Sequence, residues 1–327
     1  MVRTGAHVYV KYGWEGATLG ALASGEAADK KFGLQDRVSS LSLTHNRINL
    51  PALNKNTIDK FAYGQQAGTA SVAFTLANPW ILGAILGEPV KAGSSSPYTY
   101  TYGAAAGLKV PRTIQIEVGF DGASADIIRT LKGGLVNNLT ISSSVNGIVD
   151  CTADIAYGKE GAPTTSLGSA PSVPSQEFPY TFAHAELTIG GAVVVQCQEA
   201  SLSIAQNSEL LYGLGDHQAV NSFRKELDMT GSFRASWINK SLFEKVLEQI
   251  KQGSSSGTYS ETVGGSPEFK LTFINTANEK IEITGTGLSF TDHAVSGLEP
   301  VEPVFEELNW QFKEISVVAT STLAAEA

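Results

Sequence analysis

The side chains able to do chemistry in this chain are few and stand apart. Five histidines are spread over 327 residues. His184-Ala185-Glu186 sets an imidazole and a carboxylate two positions apart, which on a strand places both on one face, as an acid–base pair requires. Asp292-His293 offers a local carboxylate to an imidazole, whereas His7 and His45 have no acid or thiol close in sequence. A solvated or hydrogen-bonded histidine accounts for each of these without catalysis. Glu299, Glu302, Glu306 and Glu307 are oxygen donors of the kind a hard cation takes, but Pro300 and Pro303 break the run, and an extended charged loop is the reading it supports. Trp14, Trp80, Trp237 and Trp310 are flat faces for sugars or bases; Trp237 falls on the inward phase of a strand, which argues for core. Cys151 and Cys197 lack the spacing of a zinc site or a disulfide framework and read as reduced, mostly buried thiols. The Gly-x-Ser-x-Gly elbow, the phosphate-cradling Gly-x-x-x-x-Gly-Lys-Ser/Thr and His-Glu-x-x-His are absent from the sequence. The expectation is a protein that is not an enzyme, with no catalytic, cofactor-binding or metal residue.

The elements around these residues repeat. Ser40-Leu41-Ser42-Leu43-Thr44-His45-Asn46 returns 161 positions later (40 to 201) as Ser201-Leu202-Ser203-Ile204-Ala205-Gln206-Asn207. The same offset carries Thr69 to Thr230, Ser71 to Ser232, Leu76 to Trp237 and Asn78 to Asn239. A repeat with a domain-sized period predicts two similar domains in tandem. In each, an alternating strand is followed by a long polar connection (47–68 and 208–229) and a second alternating strand (69–77 and 230–238). Asn78 and Asn239 then cap short helices whose stripes are Ile81, Leu82, Ile85 and Leu86, and Leu242, Phe243, Val246, Leu247 and Ile250. Further strands are expected around Ile114 to Phe120, Leu135 to Ser142 with Gly147 to Tyr157, Phe269 to Phe273, and Leu288 to Asp292 with Phe305 to Val317. The fold class is therefore mainly β: two tandem β-sandwich or barrel domains, each flanked by one short α-helix. The boundaries are an N-terminal arm at 1–33, a first domain at 34–157, a Gly/Pro/Ser/Thr-rich linker at 158–177, a second domain at 178–317 and a loose tail at 318–327. The aromatic run of the arm, with Tyr9, Tyr12 and Trp14, is expected to dock on another domain or subunit.

Composition limits the partners. Lys and Arg number 23 against 32 Asp and Glu, a net charge of -9, so neither a general grip on nucleic acid nor an anionic membrane surface is favoured. The start, Met1 to Val10, has no apolar run of a secretory signal, and no segment has the length and apolarity of a spanning helix, from which assembly in a cytoplasm is expected.

Gly5-Ala6-His7-Val8-Tyr9-Val10, Tyr12-Gly13-Trp14-Glu15-Gly16 and the strand-to-helix step Phe74-Thr75-Leu76-Ala77-Asn78-Pro79-Trp80-Ile81-Leu82 are the stretches through which the chain resembles the tail tube (major tail) proteins of long-tailed phages and archaeal viruses. The resemblance implies a structural virion protein whose domains form rings, six to a ring, that stack into a hollow tube for DNA. A chain with two such domains would close the ring as a trimer with pseudo-sixfold symmetry. It also implies that the two long connections reach the neighbouring ring, with Arg47, Lys55, Asp59 and Lys60 on the first and Glu209, Asp216, Arg224 and Lys225 on the second as candidate contacts. The partners are then the chain itself and other tail proteins at the tube ends, with DNA passing unbound, no membrane and no cofactor. The competing readings are a surface or secreted tandem β-sandwich adhesin, a decoration or baseplate component, and a sugar-active enzyme on a β scaffold.

Overall fold

The computed structural model describes residues 8–51, 58–107, 109–120, 126–163, 178–194, 196–237, 242–244, 246, 268–276, 278–299 and 302–323. The first half runs through β1 (Val8–Trp14), β2 (Leu34–Pro51), β3 (Ile58–Thr75), β4 (Val90–Ala92), β5 (Tyr98–Gly103), β6 (Ile114–Phe120), β7 (Ile127–Ser144), β8 (Asp150–Tyr157) and β9 (Lys159–Glu160). The second runs through β10 (Ala185–Ile189), β11 (Ala192–Val193), β12 (Cys197–Ala205), β13 (Glu209–Tyr212), β14 (Ala219–Phe223), β15 (Asp228–Ser236), β16 (Phe269–Thr276), β17 (Glu279–Thr286), β18 (Ser289–Ser296), β19 (Phe305–Phe312) and β20 (Glu314–Ser321). The protein is mainly β, as its alternating sequence requires.

One antiparallel ladder crosses the molecule in the order β18-β19-β15-β12-β7-β8-β3-β2. Its middle is the seam between β7 and β12, where Glu199 to Ala205 lie opposite Ser144 to Asn138. The order is the same outward from β2 and onward from the seam: β2-β3-β8-β7, then β12-β15-β19-β18. Period-two sequence decides what each face carries. On β3 the residues Ala70, Val72 and Phe74 are buried, and on β19 so are Leu308, Trp310 and Phe312. They pack on the remaining strands. In the first half β1 pairs with β6 and β6 with the early part of β7; in the second the sheet is β11-β10-β16-β17-β20-β5-β4. Tyr12 reaches Phe32 at 4.8 Å and Phe32 reaches Phe74 at 5.9 Å, while Trp310 meets Phe269 at 4.4 Å.

A glycine corner lets one strand serve two ladders. Gly133 takes φ 68° within β7, and a bulge follows between Val136 and Asn138. In the second half the break between β17 and β18 falls at Gly287, φ 69°, and a bulge follows between Phe290 and Asp292. Both features recur 154 positions on (133 to 287, 136 to 290). A left-handed glycine and an extra residue turn a strand sharply without leaving its ladder.

The short helix of the first half stands where the sequence puts it. Trp80–Leu82 is 3₁₀ and Gly83–Leu86 is α, Asn78 Oδ1 accepts the Trp80 amide at 3.2 Å, and Gly87, φ 92°, ends the run. In the second half 242–244 and 246 are helical, while Asn239 lies outside the described residues.

Several boundaries differ from expectation. The aromatic run at the N-terminus is a core strand of its own chain, paired with β6 from Val8 opposite Phe120 to Trp14 opposite Ile114, because Val8, Val10, Tyr12 and Trp14 form a period-two apolar row. The connection at 47–68 is largely strand, since β2 and β3 run on as an 18-residue pair. Lys159 and Glu160, expected in the linker, pair as β9 with Lys132 and Leu131, and 164–177 lies outside the described residues. β20 carries the ladder through Ser321, so the tail is shorter: Ile315, Val317 and Ala319 continue the alternation of a buried strand. β5, from the first half, pairs with β20 of the second, Tyr98 opposite Ser321 and Gly103 opposite Ser316, and so ties the halves together.

Candidate functional site

The face of the eight-stranded ladder turned away from the core is a field of small polar side chains. One rung reads Ser40, Ser71, Asp154, Asn138, Ala205 and Asp228; another reads Ala73, Thr152, Thr140, Ser203, Thr230 and Gln311. Neighbours on this face bond to each other: Ser71 Oγ to Asp154 Oδ1 at 2.7 Å, Ser203 Oγ to Asn138 Oδ1 at 2.8 Å, Ser201 with Ser232 at 2.9 Å, and Gln311 Nε2 to Asp228 Oδ1 at 2.8 Å. Asp150, Asp154, Glu199, Asp228, Asp292 and Glu307 put carboxylates there against the arginines Arg37 and Arg234, the latter 3.4 Å from Glu307. A shallow hollow over the seam is lined by Ser142, Asp150, Glu199, Ser201, Ser232 and Arg234. Such a surface offers hydrogen bonds to water and little to hold a phosphate backbone.

The two expected inter-ring connections are built differently. The first is a ribbon formed by the outer parts of β2 and β3, with Arg47 opposite Tyr63 and Leu50 opposite Lys60. Ile48, Leu50, Ile58, Phe61 and Tyr63 on it are 44–64% exposed, and Arg47 lies over the Phe61 ring at 4.6 Å. Lys60 is exposed. Lys55 and the side chain of Asp59 lie outside the described residues. The second connection is the hairpin of β13 and β14, which folds back on β3: Tyr212 Oη donates to the Gln66 carbonyl at 2.7 Å and the Gln66 amide to the His217 carbonyl at 2.7 Å. Glu209 pairs with Lys225, Asp216 sits in the turn, and Arg224 donates to Gln206 Oε1 at 2.7 Å, its pKa pushed down to about 10 by burial. Charge thus drew attention to these connections, whereas the ribbon also exposes an apolar row, and the hairpin exposes Leu211, Leu214, Val220 and Phe223 among its polar residues. Alternating Ile48 and Leu50, and Phe61 and Tyr63, is the sequence signal that would have revealed the ribbon.

Tyr9, Tyr12 and Trp14 are held inside their own chain. Tyr12 is fully buried beside Trp14, the ring of Trp14 carries Arg112 at 4.9 Å, and Tyr9 Oη donates to Glu117 at 2.7 Å.

Of the acid–base candidates, the side chain of His184 lies outside the described residues, and Asp292 and His293 do not converge. Asp292 and His293 point to opposite faces of β18, and His293 Nε2 lies instead 3.5 Å from Glu306 Oε2, beneath the ladder. Burial holds the Glu306 carboxyl above its ordinary range, and His293 opposes that shift. Glu306 and Glu307 alternate across β19, so the acidic run is divided between core and surface. Cys151 is buried and Cys197 half-buried, and burial pushes both thiols up, Cys197 to about 11. Among the described residues, no group of three or more His, Cys, Asp or Glu comes together as a metal site. No described helix is long and apolar enough to cross a membrane.

A β ladder with one polar face, two edges that no described strand covers and a projecting ribbon with exposed apolar residues is built for assembly with other proteins. A family model described as phage tail tube protein matches residues 5–312. The chain belongs to that family. It is a structural protein of the phage tail by that membership, and tail tube proteins assemble with themselves and with other tail components. The curated proteins contain no match to this tail tube chain.

Proposed function

We propose that three copies of this chain close into a ring with pseudo-sixfold symmetry and that the rings stack into the hollow tube through which DNA leaves the virion. The reading takes 34–157 and 178–317 as two copies of one tube domain and the chain as a protein without enzymatic activity, assembled in the host cytoplasm. The observation that carries it is the polar, acid-rich face of the eight-stranded ladder, in which β2, β3, β12 and β15, the repeated strands of the sequence, occupy equivalent places. Three chains contribute about 24 strands. At ~4.8 Å per strand they enclose a barrel ~37 Å across at the backbone, or more with tilt, leaving ~25 Å clear of side chains. That passes a DNA duplex. Carboxylates and hydroxyls on such a wall repel or ignore phosphate, so the duplex slides. The exposed ribbon with Arg47 and Lys60, and the hairpin with Glu209, Asp216, Arg224 and Lys225, reach the next ring. Electron microscopy of the purified assembly with symmetry averaging tests this: tubes of three-chain rings are expected, and dispersed monomers at high concentration, or any other chain count, would overturn it.

A further inference from the structure

The two ends of the ladder carry opposite chemistry. Thr44, Ala205 and Gln311 lie at one end, with the ribbon of β2 and β3 and the hairpin of β13 and β14 beyond them. Ser144, Glu199 and Ser296 lie at the other, where 145–149 joins β7 to β8 and 297–304 joins β18 to β19. At each end the two connections hold equivalent places in the two halves, yet their charges differ. On the ribbon Arg47 and Lys60 are exposed, and among the described residues no carboxylate pairs with either. On the hairpin Lys225 is paired with Glu209, and Arg224 is turned onto Gln206. At the far end, Val145-Asn146-Gly147-Ile148-Val149 has no charge. The longer 297–304 carries Glu299 and Glu302, both exposed and without a cation partner among the described residues, beside Leu298 at 76% exposure. The base of this connection is fixed: the Trp237 amide donates to the Val304 carbonyl at 2.9 Å, and a Cβ at Gly297 would stand 2.1 Å from the Pro303 carbonyl oxygen.

We infer that the ribbon of one copy seats on the 297–304 connection of a copy in the next ring, with Arg47 and Lys60 meeting Glu299 and Glu302 and the ribbon's apolar row covering Leu298. The inference rests on the stacked rings proposed above and adds the receiving surface and the rotational register. The contact joins unlike ends of the molecule, so it repeats along an axis instead of closing on itself. It also chooses between two stackings. In a pseudo-sixfold ring the two halves alternate, and their shared shape alone would let a ribbon rest on either half of the next ring. Charge decides for the second half, because 297–304 offers the ribbon two carboxylates and 145–149 offers none. Exposed ion pairs hold weakly, so the apolar contact supplies the grip and the charges supply the register.

The test uses the full chain, imaged by electron microscopy beside the parent. Arg47→Glu/Lys60→Glu and Glu299→Lys/Glu302→Lys each set like charges against each other at the contact. All four residues are exposed, so both variants should keep the parent's circular dichroism and its rings while losing tubes. The chain carrying all four substitutions restores opposite charges and should form tubes again. Normal tubes from either double variant, or none from the chain with all four, would overturn the contact while the parent's own tubes leave the tube reading standing. A parent that forms neither rings nor tubes would overturn both. An averaged map of parent tubes reads the register without any substitution: the ribbon is expected against 297–304 of the next ring, and a ribbon seated on 145–149 would overturn the inference.

Discussion

Tyr157 lies across Gly68, its partner on the neighbouring strand, and a Cβ placed there would stand 2.0 Å from the ring. The ring cannot retreat, because its hydroxyl donates to the Ser42 carbonyl at 2.9 Å and lies 3.1 Å from Glu160. Gly231 under Trp310 and Gly119 under Tyr9 repeat the device. Gly68→Ala should therefore cost about 2–3 kcal/mol of unfolding free energy. Gly161→Ala, with nothing within 4 Å, should change it by less than about 0.5 kcal/mol; denaturant titration of unassembled protein compares the two. The His293 and Glu306 pair occupies the place that Leu139 and Cys151 take in the first half. A carboxyl with a raised pKa binds its proton more tightly in the folded state, so its contribution to stability falls as pH rises through the ordinary carboxylate range to the raised value, then levels. His293→Leu removes the group that opposes this shift and should destabilise by about 3 kcal/mol at neutral pH, with the loss shrinking as acid protonates Glu306. His293→Leu with Glu306→Val should be at least as stable as the parent, by up to about 4 kcal/mol, and should lose the pH dependence.

At the scale of elements, the equivalent connections of the two halves have different fates. The hairpin of β13 and β14 folds back and bonds to β3, whereas the ribbon of β2 and β3 extends beyond its ladder; both keep apolar residues in solvent, Leu211, Leu214, Val220 and Phe223 on the hairpin and Ile48, Leu50, Phe61 and Tyr63 on the ribbon. Exposed apolar area of this kind is stable only when something covers it. Replacing 48–62 by an Asn-Gly turn between Arg47 and Tyr63 removes no core residue among the described residues. The variant should keep its far-ultraviolet circular dichroism and its rings while losing long tubes under the electron microscope; long tubes from it would mean that the ribbon does not join rings.

For the whole molecule, net charge acts through its placement. Of the -9, the ladder's polar face holds six carboxylates against two arginines. Reversing four of them, with Asp150→Lys, Asp154→Lys, Glu199→Lys and Asp228→Lys, leaves two carboxylates against six cations and should turn the proposed bore wall into one that holds DNA. Variant tubes should bind duplex DNA at low salt, with affinity falling linearly in the logarithm of salt concentration, and parent tubes should not. Equal binding by both in a filter or mobility assay would refute the acidic-bore argument.

Alternation by itself determined that the chain is β, that Leu41 and Leu43 face inward and Ser40 and Ser42 outward, and that Asn78 opens a helix, because these follow from period and capping within a few residues. The offset from Ser40 to Ser201 likewise showed that one half resembles the other. Only the tertiary structure decided that 47–51 and 58–68 run on as one paired ribbon, since alternation marks a strand but not the strand that it pairs with. It also decided that Val8 to Trp14 belong to their own core, that β5 crosses to β20, and that β7 meets β12. Strand pairing is a contact between residues far apart in sequence, and its register is set by which apolar faces can share one core, which no local stretch records.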